Sequence, residues 1–158
     1  MLANLFMSWG SFYANHAAVR TLVAFFHVGA LITGGGIAVA ADRSVLTSAA
    51  DDDWSRRSLL ESLEGTHRFV IASLALIVVS GFLLFASDYE TFLYSSFFWT
   101  KMALVAGLAM NGALLWRAEH RAMGGDAGAW RTLRATAIAS IALWFLTTLG
   151  GVALPNIG

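Results

Sequence analysis

The sequence predicts an all-α integral membrane protein, a four-helix up-down antiparallel bundle with both termini on the outer side. Three observations carry that reading. Hydrophobic residues make up 58% of the 158 and charged residues only 13%, with a mean hydropathy of +0.67, far from a soluble globular composition. Four apolar stretches, 21–41, 69–87, 97–116 and 135–154, reach the roughly 20 residues that a spanning helix needs. The cations gather in two segments between those stretches: Arg43, Arg56, Arg57 and Arg68 in the first, Arg117, Arg121, Arg131 and Arg134 in the second. Only Arg20 and Lys101 lie toward the other side. Cationic loops stay cytoplasmic, so the expected setting is a bacterial-type inner membrane with periplasmic termini. Short connections favour antiparallel neighbours, and residues 1–158 form a single domain.

The first segment, MLANLFMSWGSFYANHAAVR, is apolar but has no basic n-region and no small-residue cleavage pattern. It is expected to be retained at the interface, with Trp9, Phe12 and Tyr13 at headgroup depth. Helix one then carries His27 inside an apolar run and a triple glycine, Gly34-Gly35-Gly36. In the first inner loop Asp51 or Asp53 can cap a helical turn. The segment 54–64, with Leu59, Leu60 and Leu63 on one side, reads as amphipathic. It either lies on the inner surface or extends helix two. The aspartate run 51–53 lacks the spaced ligands of a calcium loop and reads as a solvated turn.

Lipid gives helices no hydrophobic reason to associate, so small and hydroxylated residues mark the faces that meet. Helix two repeats Thr66, Ser73, Ser80 and Ser87 every seven residues, and helix four offers Thr136, Ser140, Thr147 and Gly151. Helix one supplies Gly29 and Gly36, and helix three Gly107 and Gly112. Asn111, a buried amide, is expected to bond across helices. Tyr89, Phe92 and Tyr94 anchor the short outer loop. Gly124, Gly125 and Gly128 make the second inner loop flexible, and Pro155 ends helix four.

Ionisable groups within a membrane are costly, on the order of 2.5–3.5 kcal/mol even on lenient scales, and each asks for a purpose. His27 lies about six residues, roughly 9 Å, inside helix one, and Lys101 sits at a comparable outer depth on helix three. Ser80 and Gly81 of helix two and Thr147 and Thr148 of helix four fall in the same layer. One reading makes His27 a ligand to haem iron or copper, with Arg20 and Lys101 pairing an anion such as haem propionates. The other has His27 bond a serine or carbonyl across the bundle while Lys101 reaches the interface. No second histidine shares that depth, which counts against a bis-histidine haem, and His27 with Met102 gives only two ligands for copper(I). His67 and His120 mark an inner rim with Asp42, Arg43, Glu119 and Asn111. They could share a metal if helices two and three adjoin.

Zero net charge gives a nucleic-acid partner no support. The lack of cysteine removes disulfides, thiolate metal sites, Fe–S clusters and covalent c-type haem. No nucleophile–base arrangement, phosphate loop or paired catalytic carboxylate is visible.

Arg20 with His27 and the glycines after it, Ser80-Gly81, the run Phe98-Trp99-Thr100-Lys101-Met102-Ala103-Leu104 and Asn111-Gly112 resemble the copper-resistance D-type membrane domain and related small four-helix membrane proteins. The resemblance covers roughly residues 19–121. It implies a helix-one histidine and a helix-three lysine at the working site, in copper handling or, as in relatives, with haem b. The expectation is therefore a histidine-centred haem b or copper site in the outer half of the bundle, serving electron transfer or metal handling. The alternative is a non-catalytic, cofactor-free subunit that anchors a larger complex, whose seams receive other membrane subunits or a second copy.

Overall fold

The protein is described by a computed structural model at residues 2–48, 53–126 and 128–157. The described residues form six helices and no strand: α1 (Leu2–Asn15), α2 (Ala17–Thr47), α3 (Asp53–Ser87), α4 (Tyr89–Tyr94), α5 (Ser96–Met123) and α6 (Ala129–Ile157). Four of them, α2, α3, α5 and α6, are long and apolar enough to cross a membrane. Asp51 and Asp52 lie outside the described residues, and with them the cap and cation readings of that run.

The four long helices overrun the apolar stretches, most of all at the ends that carry the arginine-rich segments. Hydropathy registers only the part bathed in lipid, while the i→i−4 bonds of a helix continue into water. The amphipathic segment 54–64 is thus the first part of α3 and not a separate surface helix. Its Leu60 and Leu63 are buried with Val45, Ala118, Leu133 and Ala137 in a core drawn from all four long helices. A second core, Ala38, Leu108 and Trp144, lies further along the helices. Helix α6 runs past Pro155 to Ile157, a correction to the expected stop. The proline removes one bond from the last turn without breaking it.

Helix α2 packs on α3 and α6, and α5 packs on α6. Close approach on the α2–α3 face needs glycine at one position: a Cβ on Gly34 would lie 2.5 Å from Ser73 Cβ. Beside it, Gly35 makes room for Trp144, whose Cε3 would stand 3.0 Å from an added Cβ. Gly29 and Gly36 have nothing within 4 Å of an added Cβ, so the packing glycines of helix one are the other two. Asn111 Nδ2 donates to the Thr136 carbonyl at 3.0 Å, as its type and depth suggested. Between α3 and α5 the fit is looser. They touch where His67 meets Glu119 at 3.3 Å and where the Phe85 and Phe98 rings stack at 5.3 Å. Between those two contacts lies a cavity.

The N-terminal helix α1 docks on the far end of α3. Trp9 Nε1 donates to the Leu83 carbonyl at 2.9 Å, and the Phe6 ring packs against Phe82, Phe85 and Tyr89. The loop between α5 and α6 is tied down where flexibility was expected. Arg121 donates twice to Asp126 Oδ2, at 2.6 and 3.0 Å, and Asp126 Oδ1 accepts from Gly128 N at 2.8 Å. The guanidinium beside it holds the Asp126 carboxyl below the usual carboxylate range. Gly125 takes the left-handed φ of +84° that closes this turn.

Candidate functional site

The outer layer assembles only in part. His27 Nδ1 lies 3.0 Å from Ser80 Oγ. That hydroxyl gives its one proton to the Leu76 carbonyl at 2.6 Å, so it accepts from the imidazole. This arrangement favours the tautomer with the proton on Nδ1 and the lone pair on Nε2. The ring lies over Gly81, where an added Cβ would stand 3.2 Å from Cε1. Lys101 leans across to α6, its Nζ 3.4 Å from where a Gly151 Cβ would be, and it is near enough to act on His27 electrostatically. One turn from Gly151, Thr147 is buried with its hydroxyl unpartnered.

Arg20 does not join this group. Its guanidinium turns back to the Ala14 carbonyl at the α1–α2 junction, where the chain breaks at His16 (φ −119°, ψ 91°). A carbonyl left free by a broken helix is a strong acceptor close at hand. His27 therefore has the serine partner that the sequence offered as its alternative role, with Ser80, Gly81 and Lys101 beside it. Neither cavity described for the protein is lined by His27.

The layer near the arginine-rich ends of the helices is richer than the sequence suggested. Each long helix contributes polar side chains to the wall of one cavity: Asp42 from α2, Thr66 and His67 from α3, Glu119 from α5 and Ser140 from α6. Asp42 is 4% exposed and Glu119 3%, which matters because carboxylates are almost never buried so fully without partners. Ser140 lines the same cavity as Asp42, and His67 Nε2 lies 3.3 Å from Glu119 Oε2. Asp42 Oδ2 and Glu119 Oε1 are buried and have no hydrogen-bond partner. The two acids are close enough to repel, and Glu64 adds to the field on Glu119. No Lys or Arg among the described residues pairs with either acid.

These groups line one end of a cavity of about 510 Å³. Beyond these and Thr66 the wall is apolar: Val70, Ile71 and Leu74 on α3, Leu108 and Ala109 on α5, Trp144 on α6. Ile71 is 64% exposed and Ala109, Gly112 and Ala113 are exposed as well. The cavity thus opens sideways between α3 and α5, toward whatever surrounds the helices.

His67 and His120, which could share a metal if helices two and three adjoin, turn to different partners. His120 Nδ1 is 3.0 Å from its own helix's Trp116 carbonyl, and its ring lies against Trp116 at 4.3 Å. His67 faces Glu119 instead, although His120 still acts on it through charge. Among the described residues no group of three or more His, Asp or Glu is placed to hold a metal ion. The acid pair is what the sequence did not reveal as a pair. Asp42 and Glu119 stand just outside the apolar stretches, where solvation is the ordinary expectation. The available signal was their depth: both fall in the layer of His67 and Asn111.

Set against known protein families, curated proteins and solved structures, the chain matches none. The resemblance to the copper-resistance D-type domain rests on the quoted residues alone.

Proposed function

We propose that the protein is a multi-pass inner-membrane protein that binds a small molecule at the inner end of its bundle, through Asp42, Glu119 and His67. Its four spans run up and down in turn, with both termini outside. Two features support that arrangement. His27 faces Ser80 and Gly34 faces Ser73, which is an antiparallel register. The eight loop arginines all fall on the side of the inner core, and the Arg134 guanidinium reaches the Leu46 carbonyl there.

The observation that carries the function is a pair of buried carboxyl groups, each with one unpartnered oxygen, in the wall of a largely apolar cavity. Each such group costs on the order of 1–3 kcal/mol when nothing satisfies it. Ionisable groups kept at membrane depth mark binding and transfer sites far more often than scaffolding. Like charges side by side in a poorly polar site must be balanced by protons or by a cation. The site therefore exchanges charge with what it binds. Carbon-13 NMR of the carboxyl groups in lipid nanodiscs tests this. Asp42 and Glu119 are expected to titrate as one unit, so that Asp42→Asn moves the Glu119 midpoint and Glu119→Gln moves that of Asp42. Two independent titrations, each unchanged by the other substitution, contradict the shared site.

A second reading keeps a haem b or copper ligand at His27. It is favoured by the Nε2 lone pair that the Ser80 bond leaves open, since ligating histidines fix their other nitrogen in this way. A Soret band or stoichiometric copper that disappears in His27→Ala supports it, and a colourless, metal-free wild-type protein removes it. Anchoring of a partner through the seams has less behind it. Gly34, Gly35 and Ser73 are already spent on contacts within the chain.

A further inference from the structure

The cavity tells more about its occupant than that one exists. We infer that it takes a hydrophobic organic amine in its protonated form, which enters from the bilayer between α3 and α5 and seats its ammonium between Asp42 and Glu119. This rests on the carboxyl–imidazole site being the functional one and adds the ligand's chemistry.

Four observations lead there. The unsatisfied atoms, Asp42 Oδ2 and Glu119 Oε1, are carboxyl oxygens, which in the ionised form only accept, so a donor satisfies both. They belong to α2 and α5, both of which line the cavity, and a primary ammonium has three N–H groups to share between two such acceptors. The acids have no Lys or Arg partner among the described residues, so a positive charge is favoured over a neutral hydroxyl. A bare metal ion fits poorly, because no three ligating side chains converge among the described residues.

The body of the ligand follows from the rest of the wall. A volume of about 510 Å³ lies within the range of sites that enclose a drug-sized molecule, roughly 300–1,000 Å³. Away from the polar end it offers only apolar surface such as Leu74, Leu108 and Trp144. The exposed Ile71 and Gly112 border the gap between α3 and α5, which the four spans turn toward lipid. An amphiphile held at the interface, ammonium at the rim and chain in the hydrocarbon, is already oriented to slide in.

The test uses the full chain in nanodiscs, titrated calorimetrically with n-octylammonium, n-octyltrimethylammonium and octanol, with empty nanodiscs as the blank. Saturable binding of one octylammonium per chain is expected. The trimethyl analogue, which has the charge but no N–H, and octanol, which lacks the charge, should each bind about tenfold more weakly or worse. Asp42→Asn and Glu119→Gln should each lose about tenfold as well. Gly112→Leu, at a position with nothing within 4 Å of an added Cβ, should fill the entrance and weaken binding while both acids remain. Uptake no greater than in empty nanodiscs, equal binding of the three probes, or indifference to Glu119→Gln overturns the proposal. If octylammonium fails while Asp42 and Glu119 still titrate as one unit, only the ligand class falls. If they titrate independently, the site itself falls.

Discussion

Gly34→Ala is expected to destabilise the protein markedly, although alanine is the better helix former. Two effects compete. Replacing a helical glycine gains up to about 1 kcal/mol of backbone propensity. Against that, the new Cβ would arrive 2.5 Å from Ser73 Cβ and 3.2 Å from its Oγ. A Cβ is fixed to its backbone and cannot rotate away, so α2 and α3 must separate. Overpacking of this kind costs typically 1–3 kcal/mol, and more follows here because the His27–Ser80 bond two turns along the same face is stretched too. The steric term wins. Thermal unfolding in mild detergent checks it: Gly34→Ala should melt well below wild type, while Gly29→Ala, with open space around it, should not. Adding Ser73→Gly to Gly34→Ala should restore most of the loss. An unchanged melting temperature for Gly34→Ala would show that the two helices do not approach as described.

Glu119→Leu is expected to do the opposite and raise the stability of the ligand-free protein. Glu119 is 3% exposed with one oxygen unpartnered, and Asp42 repels it. Removing one member of a buried ion pair destabilises because it leaves an uncompensated charge, but Glu119 has no Lys or Arg partner among the described residues, so its loss relieves an unsatisfied oxygen and a like-charge contact instead, a gain of about 1–3 kcal/mol. The loss is one contact with His67, whose side chain is 25% exposed and can turn to water. The net sign is positive, and the melting temperature should rise as octylammonium binding disappears. Gains of this kind, at the expense of function, are the mark of a site held in an unfavourable state for use. A fall in stability would mean that Glu119 is a structural partner and not a reserved binding group.

How much of this was legible in the sequence differs from residue to residue. The four spans were, because lipid demands about 20 apolar residues whatever the fold. Their inner extensions were not, since a helix leaving the membrane keeps its bonds but loses its hydropathy signal. The meeting of His27 with Ser80 followed from equal depths counted at 1.5 Å per residue. Which of three consecutive glycines packs could not be read: successive residues point about 100° apart, and the rotation of α2 is decided by Ser73 and Trp144 on neighbouring helices. Arg20 shares a face with His27 on an ideal helix, but the break at His16 freed a nearer carbonyl for it. The acid pair stayed hidden for a related reason. A polar residue at the edge of an apolar stretch looks solvated, and burial came only from the core of Leu60, Leu63 and Leu133, which seals the bundle below it.

The measurement that bears most directly on the site is a double-mutant cycle in unfolding free energy, with Asp42→Asn, Glu119→Gln and both together. If the two carboxyl groups share one buried site, the double variant should depart from the sum of the singles by about 0.5–3 kcal/mol. Effects that add to within about 0.3–0.5 kcal/mol would mean that Asp42 and Glu119 do not meet, and the binding site between them would have no basis.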